Sequence, residues 1–502
     1  EAPAMATTSA IEWNARARAL EPQSLAFIDG RYSAAASGRT FDAISPIDGR
    51  VVARVAECDR VDVDRAVAAA RRSFEDGRWS GAPPAHRKKV LVKLAQLMTE
   101  RADELALLET IDVGKPIQDS LSVDVGGSAR TVAWYGEAID KVYGEIAPTA
   151  SNALGLITRE PVGVVACVVP WNFPLMMACW KIAPALAAGN SVVLKPAEQS
   201  PLTAIRLAQL AAEAGIPDGV LNVVPGFGET AGAALGLHAD VDALAFTGST
   251  EVGKLFLKYS GESNLKLVSV ECGGKSPNIV FADCPDLDAA ARAAAEGIFF
   301  NQGEVCSAGS RLLIDERVRD DFLDKVAAHG RTMAPGDPLD PATRLGAMVT
   351  REHMQRVLGF IQESGASGAR NILGGRQVRQ ETGGYYIEPT IFADVDPGSR
   401  LAQEEVFGPV LASFTFRSVE EAIAMANNTR YGLGAGVWTS NLNVAHRLAR
   451  AIRAGSVWIN CYDTGDTTVP FGGYKQSGTG RDKSLHALLK YTQLKTTWIA
   501  LQ

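Results

Sequence analysis

Apolar residues at helical spacing, with charges between them, predict amphipathic helices over 61–74 and 85–101, and the pattern resumes over 129–142. It then changes character. Gly-Glu-Ile-Ala-Pro-Thr (144–149) and Leu-Gly-Leu-Ile-Thr-Arg-Glu (154–160) flank 150–153 and read as a hairpin arm rather than as core. Short unbroken apolar runs follow at 162–169, 191–194, 220–224, 243–246 and 265–270, separated by helix-like segments such as 200–214. Runs that are apolar throughout, instead of alternating, suit strands buried on both faces, so a parallel sheet covered by helices is predicted. A second series begins after Gly273, with a strand at 278–281, a helix over 286–300, a strand at 311–314 and further alternation to Trp458. Segments 335–341 and 374–384 read as exposed loops, and 491–499 alternates as a final strand would.

The predicted fold class is α/β. Residues 24–143 with 165–273 form one domain, 274–476 a second, and 144–164 with 477–502 an arm and a terminal strand. A chain of 502 residues exceeds what one hydrophobic core holds, which agrees with such a division. Net charge is −7 with no basic stripe, so neither nucleic acid nor an acidic membrane surface is an expected partner. The seven cysteines are scattered and odd in number, which argues against a disulfide framework. No CxxC pair or HExxH spacing occurs, so no metal is expected. The longest apolar run, 162–169, is far too short to cross a bilayer. Glu12, Arg16 and Arg18 interrupt 11–20, where a secretory signal would be apolar, so a cytoplasmic enzyme is expected. Glu1–Ala4 precede Met5 and are expected to be foreign to the native chain.

Candidate chemistry centres on Glu271, in Glu-Cys-Gly-Gly-Lys-Ser-Pro-Asn (271–278), and Cys306, in Asn-Gln-Gly-Glu-Val-Cys-Ser-Ala-Gly (301–309). A cysteine and a carboxylate in glycine-rich turns suggest a thiol nucleophile with a general base. Spacing alone is weak, because most buried cysteines act as small hydrophobes. Gly248-Ser-Thr-Glu-Val-Gly253-Lys254 resembles a phosphate-binding P-loop until Leu255, where Ser or Thr is needed to hold magnesium. Gly274-Lys275-Ser276 has the hydroxyl but carries Ser269 in place of the first glycine. A nucleotide triphosphatase is therefore disfavoured. Gly226-Phe-Gly228-Glu-Thr-Ala-Gly232 departs from the dinucleotide fingerprint by one extra residue. Still, both glycine turns follow apolar strands and open helices, where backbone amides favour a pyrophosphate.

Five further segments occur in order: Pro-Trp-Asn-Phe-Pro (170–174), Leu-Lys-Pro-Ala-Glu (194–198), Phe-Thr-Gly-Ser-Thr (246–250), Glu-Glu-Val-Phe-Gly-Pro (404–409) and Pro-Phe-Gly-Gly-Tyr-Lys-Gln-Ser-Gly (470–478). With the first two they resemble the aldehyde dehydrogenase superfamily from about Phe27 to the C-terminus. Asn-Gln-Gly-Glu-Val-Cys, Gly-Ser-Val-Trp-Ile-Asn (455–460) and Gly-Arg-Asp-Lys-Ser-Leu-His-Ala-Leu (480–488) are most similar to the bacterial γ-glutamyl-γ-aminobutyraldehyde and 4-guanidinobutyraldehyde dehydrogenases of polyamine and arginine breakdown.

The resemblance implies a Rossmann-type NAD-binding domain, a second α/β catalytic domain and a β-arm that joins subunits into a homodimer or homotetramer. It implies Cys306 as nucleophile, Glu271 as the base that activates water, and Asn172 as a side-chain donor to an oxyanion, with the Cys306 N–H as second donor. The implied cofactor contacts are Val169, Pro170, Trp171, Lys195, Glu198, Gly228, Gly232, Phe246, Gly248, Ser249, Val252, Gly273, Glu405 and Phe407. NAD is expected over NADP, because Glu198 would repel a 2′-phosphate, while Lys195 could tolerate some NADP. Phe173, Met177, Trp180 and Phe471 match an apolar throat. Asp124, Asp463 and Asp466 are candidates for an acidic mouth receiving a cationic tail, against a plainer reading as solvated carboxylates. Family members commonly carry Gln where this chain has Glu304, so a charge is expected two residues before the sulfur. Cys272 is expected to be structural. Betaine aldehyde or a general aliphatic aldehyde is the alternative substrate, and a binding protein reusing the fold the non-enzymatic one.

Overall fold

In the computed structural model, which describes residues 8–501, the apolar runs become the strands predicted for them. Glu1–Ala4 and Met5 lie outside the described residues. Val164–Val168, Ser191–Lys195, Leu221–Val223, Ala243–Gly248 and Leu267–Cys272 pair in parallel. Every residue of the first three is buried, which is why they read as continuous apolar runs. The sheet runs outward from Val164–Val168 through Ser191–Lys195 to Leu221–Val223, and the chain then crosses back to place Ala243–Gly248 on the other side of Val164–Val168. The gap between Val164–Val168 and Ala243–Gly248 is therefore the switch point, where ligands of such sheets bind at the carboxyl ends of the strands. Helices Arg60–Glu75, Pro84–Glu100, Gly126–Ala138 and Leu202–Ala214 fall where the apolar periodicity put them.

The second sheet is also mainly parallel. From one edge it runs Thr390–Ala393, Val410–Phe416, Arg311–Asp315, Pro277–Val280, Gly434–Trp438 and Ser456–Ile459, with Arg370–Leu373 antiparallel outside the first of these. Helix Leu287–Phe299 begins at Asp286, whose carboxylate accepts from the N–H groups of Asp288 and Ala289. The arm is a three-stranded antiparallel sheet in which Ala153–Pro161 is sandwiched between Glu145–Ala147 and the terminal strand Thr492–Ala500.

Three features were not read from the pattern. Helix Ala10–Ala19 buries Trp13, hairpin Thr40–Ile44 with Val51–Ala56 follows, and Ala26–Ile28 with Arg31–Ser33 extends the first sheet antiparallel. The segment 374–384, expected as an exposed loop, contains the short strand Gln377–Val378, which pairs with Tyr386–Ile387 just beyond it. Among the described residues no helix is long and apolar enough to cross a membrane.

Candidate active site

The carboxyl ends of the first sheet face the second domain across a cavity of about 1540 Å³, lined by Trp171, Asn172, Gly248, Gly273, Cys306, Glu405 and Phe407 among others. Cys306 sits on a turn between helix Leu287–Phe299 and strand Arg311–Asp315. That turn is strained. Asn301 and Gln302 both adopt left-handed backbone, with φ 48° and 57°, before Gly303 at 72°. Such geometry costs roughly 1–2 kcal/mol per non-glycine residue, so it persists only where neighbours fix it. They do. Asn301 Nδ2 donates to the carbonyls of Asn172 (3.0 Å) and Glu304 (3.2 Å), and Gln302 Oε1 accepts from the Gly346 N–H at 2.9 Å. Asn172 Nδ2 donates to the Glu304 carbonyl at 2.8 Å, tying the N-terminal side of helix Pro174–Ala187 to the cysteine turn.

The Glu304 side chain turns away from the sulfur. Its Oε1 accepts from the Val349 N–H at 3.0 Å, with His353 Nε2 3.8 Å away, and burial raises its carboxyl well above the ordinary range. The extra carboxylate before the cysteine is thus packed into the second domain. Cys306 itself is half-buried on the cavity wall. Burial, and then the carboxylates of Asp463, Glu405 and Glu271, push its thiol up, so the resting sulfur is protonated.

Glu271 is the penultimate residue of strand Leu267–Cys272 and is buried, with neither carboxylate oxygen hydrogen-bonded. Its Oε1 lies against Gly472 and Gly480, where a Cβ would come within 2.7 and 2.8 Å. A side chain at either position would displace the Glu271 carboxylate. Burial and then the nearby Asp482 raise its carboxyl, while Lys181, Lys490 and Arg481 oppose that shift. Lys181 and Lys490 both donate to Asp482, forming a buried ionic triad behind the base.

The cofactor residues fit a dinucleotide. Ser249 caps helix Thr250–Glu262, which opens at the switch point. An added Cβ at Gly228 would meet nothing within 4 Å, leaving backbone free to approach a phosphate. Lys195 Nζ pairs with Glu198 Oε2 at 3.0 Å, and that carboxylate stays partly open for hydroxyls. Glu405 Oε1 accepts from the Gly274 N–H at 3.1 Å, and burial raises its carboxyl to about 7. Its other oxygen occupies the space a side chain at Gly273 would need. Trp171 packs edge-on to both Phe407 and His353 at 5.2 Å.

Of the residues predicted from sequence, Pro170, Trp171, Asn172, Gly248, Ser249, Gly273, Cys306, Glu405 and Phe407 share the cavity wall with the throat residues Phe173, Met177, Trp180 and Phe471 and with Asp463. Val169, Phe246 and Glu271 each adjoin a wall residue in the chain (Pro170, Thr247 and Cys272) without lining the cavity themselves, and Val252 is exposed on helix Thr250–Glu262. Lys195 with Glu198, and Gly228 with Gly232, belong to neighbouring strand ends of the same sheet. Cys272, expected to be structural, is buried but also reaches the cavity.

Two acidic residues are not where they were expected. Asp124 is fully buried and bonded to Lys115 Nζ at 2.7 Å, so it cannot receive a substrate tail. Asp466 is exposed and accepts from the Thr468 N–H, outside the cavity wall. Asp463 does face the cavity, accepting from Ser307 Oγ at 3.0 Å, and the protein surrounding it raises its carboxyl. Sequence reasoning missed Asp119 and Lys483, both on the wall. It also missed the Lys181–Asp482 contact, which spans 301 residues and leaves no local signal.

The whole chain has relatives of the same architecture. Residues 32–497 match the pattern of the aldehyde dehydrogenase family. The chain is 57% identical over 490 residues to the NADP/NAD-dependent aldehyde dehydrogenase PuuC of Escherichia coli, covering 98% of each. It superimposes with a TM-score of 0.98, at 61% identity, on the indole-3-acetaldehyde dehydrogenase AldA of P. syringae in complex with NAD+ and IAA, covering 99% of this chain and 100% of that one. For the γ-glutamyl-γ-aminobutyraldehyde dehydrogenase of Burkholderia cenocepacia the TM-score is 0.97 at 59% identity, covering 99% and 100%. A dinucleotide cleft that opens beside a cysteine turn, with this match along almost its full length, defines the chain as an oxidoreductase acting on aldehydes. It belongs to the aldehyde dehydrogenase family, whose cofactor is NAD(P).

Proposed function

We propose that the chain oxidises an amino- or guanidino-aldehyde to its carboxylic acid through a covalent adduct on Cys306. The observation that carries the chemistry is the meeting of Cys306, Asn172 and Glu405 on one cavity wall. Cys306 Sγ, once deprotonated, adds to the carbonyl carbon to give a thiohemiacetal. Asn172 Nδ2 has two N–H groups and spends one on the Glu304 carbonyl, leaving the other for the developing oxyanion beside the Cys306 N–H. NAD, when bound, supplies the hydride acceptor; Ser249 with its helix, Lys195, Glu198, Glu405 and Phe407 would hold it. Loss of hydride from the adduct carbon leaves a thioester on Cys306. Glu271 then takes a proton from water, whose oxygen attacks the thioester carbon, releasing the acid and the thiol. Raised by burial, its carboxyl is better matched to this proton than an ordinary glutamate.

A cationic tail is supported by Asp463 and Asp119 on the wall, and the aldehyde dehydrogenases most similar in structure include one named for γ-glutamyl-γ-aminobutyraldehyde. A second reading has its own observation. Trp180 and Phe471 meet edge-on at 5.6 Å and Trp458 and Tyr462 pack at 5.1 Å along the same wall. That aromatic lining suits an arylacetaldehyde, in keeping with the named substrate of AldA. Kinetics of NADH formation with 4-aminobutyraldehyde, 4-guanidinobutyraldehyde, indole-3-acetaldehyde and butyraldehyde decide between them. The amino- and guanidino-aldehydes should give the highest kcat/KM; a preference for the indole would replace the first reading by the second.

We also propose a homodimer or homotetramer. Almost every residue of Thr492–Ala500 is exposed, including Leu494, Trp498 and Ile499, which leaves an apolar strand for a second subunit to cover.

A further inference from the structure

Lys483 stands apart from the other lysines of the site. Asp482, its neighbour in the chain, is taken by Lys181 and Lys490; Asp463 accepts from Ser307, and Asp466 from the Thr468 N–H. Among the described residues Lys483 forms no ion pair, and its Nζ lies over the face of Trp180, 5.4 Å from the ring centroid. It lines the same cavity wall as Cys306.

Its backbone is also unusual. Lys483 and Ser484 are both left-handed, with φ of 62° and 52°, a strain of a kind that tends to collect at functional sites. The surroundings hold it in place. The Ser484 N–H donates to the Thr467 carbonyl at 2.7 Å, Tyr135 Oη donates to the Ser484 carbonyl at 2.9 Å, and Asp482 and Phe471 exchange backbone bonds on the other side. Space is reserved as well: a Cβ at Gly465 would lie 3.2 Å from Lys483 Nζ. A half-buried ammonium on the cavity wall, with an aromatic face on one side and Asp463, Asp466 and Asp482 near enough to act on it but none bonded to it, can take an anion while Asp463 beside it takes a cation.

We propose that Lys483 is a specificity residue that selects aldehydes bearing a carboxylate at the end remote from the carbonyl. With Asp463 and Asp119 on the same wall, the tail that fits is zwitterionic, an amino-acid end in which Lys483 takes the carboxylate and the aspartates face the ammonium. This rests on the aldehyde-oxidising reading above and adds a negative charge to the cationic tail proposed there.

The test measures kcat/KM, as NADH formation, for aldehydes of equal chain length ending in methyl, ammonium, carboxylate or an α-amino acid. It compares the unmutated enzyme with Lys483→Gln and Lys483→Asn, the latter chosen because Asn tolerates left-handed backbone. The carboxylate-bearing aldehydes should exceed the methyl-terminated one in the unmutated enzyme, and both variants should lower them roughly tenfold, mostly through KM. The methyl-terminated aldehyde should change less than about twofold, which also reports intact folding, and raised salt should shrink the carboxylate effect. Lys483→Arg should keep the preference. A uniform loss across all four aldehydes, or an unmutated enzyme indifferent to the carboxylate, would overturn the proposal. Failure of the cationic-tail reading looks different: the ammonium aldehyde would not exceed the methyl one, whatever Lys483 does. Failure of the aldehyde reading would appear as no NADH from any of them.

Discussion

Asn172 and Glu304 are joined by a 2.8 Å hydrogen bond from the Asn172 side chain to the Glu304 backbone carbonyl, so the residue positioned to hold the oxyanion also fixes the turn that carries Cys306. Asn172→Ala removes both functions. The rate should fall on the order of 100- to 1,000-fold, whereas stability should fall only about 1 kcal/mol, because Asn301 still donates to the same carbonyl. Steady-state kinetics and thermal melting of the same sample check the two numbers together. A rate loss of less than tenfold would remove Asn172 from the oxyanion site.

Glu304 makes a stability prediction with a definite sign. Burial raises its folded carboxyl above the unfolded value of 4.5, so the folded state binds the extra proton and stability falls as pH climbs above that value. Glu304→Gln keeps an acceptor for the Val349 N–H and removes the titration. The variant should therefore melt higher than the parent at neutral pH, and the difference should vanish below pH 4.5. Melting curves across that range test it; a difference independent of pH would point to packing instead.

Glu271→Gln should release a burst of NADH and then stall, because acylation of Cys306 precedes the step that needs a base. In the parent, deacylation should rise with pH through a carboxyl lying above the ordinary 4.5, since only the deprotonated form takes a proton from water. Stopped-flow traces separate the burst from the steady rate. Normal steady turnover by the variant would assign the base elsewhere.

Assembly is checked by light scattering at micromolar concentration, where a dimeric or tetrameric mass is expected. Trp498→Glu with Leu494→Lys, on the exposed strand Thr492–Ala500, should shift that mass toward the monomer. A monomeric parent would contradict the proposed arm contact.

The strands were legible because burial on both faces demands unbroken apolar runs, as at Val164–Val168 and Ser191–Lys195. The cysteine turn was legible through its motif, although nothing in Asn-Gln-Gly announces two left-handed residues. Asp124 was misread for a physical reason. Its place at the mouth rested on the family resemblance alone, whereas in the π-helical turn Ser120–Val125 its buried carboxylate is held by Lys115, a contact that leaves no pattern in the sequence. Lys483 was overlooked because its direction is set by the left-handed pair 483–484 and not by any periodicity. The Lys181–Asp482–Lys490 triad joins separate parts of the chain, and only folding brings it together.

The covalent role of Cys306 is tested most directly by intact-mass and peptide mapping of the Glu271→Gln enzyme, quenched after its burst with aldehyde and NAD. The chain should gain the mass of the aldehyde less two hydrogens, the mass of a thioester, with the acyl group on the peptide containing Cys306. Cys306→Ala should show neither adduct nor NADH while still binding NAD. An acyl group on Cys272 or Cys461, or a full burst of NADH from the Cys306→Ala enzyme, would contradict the mechanism.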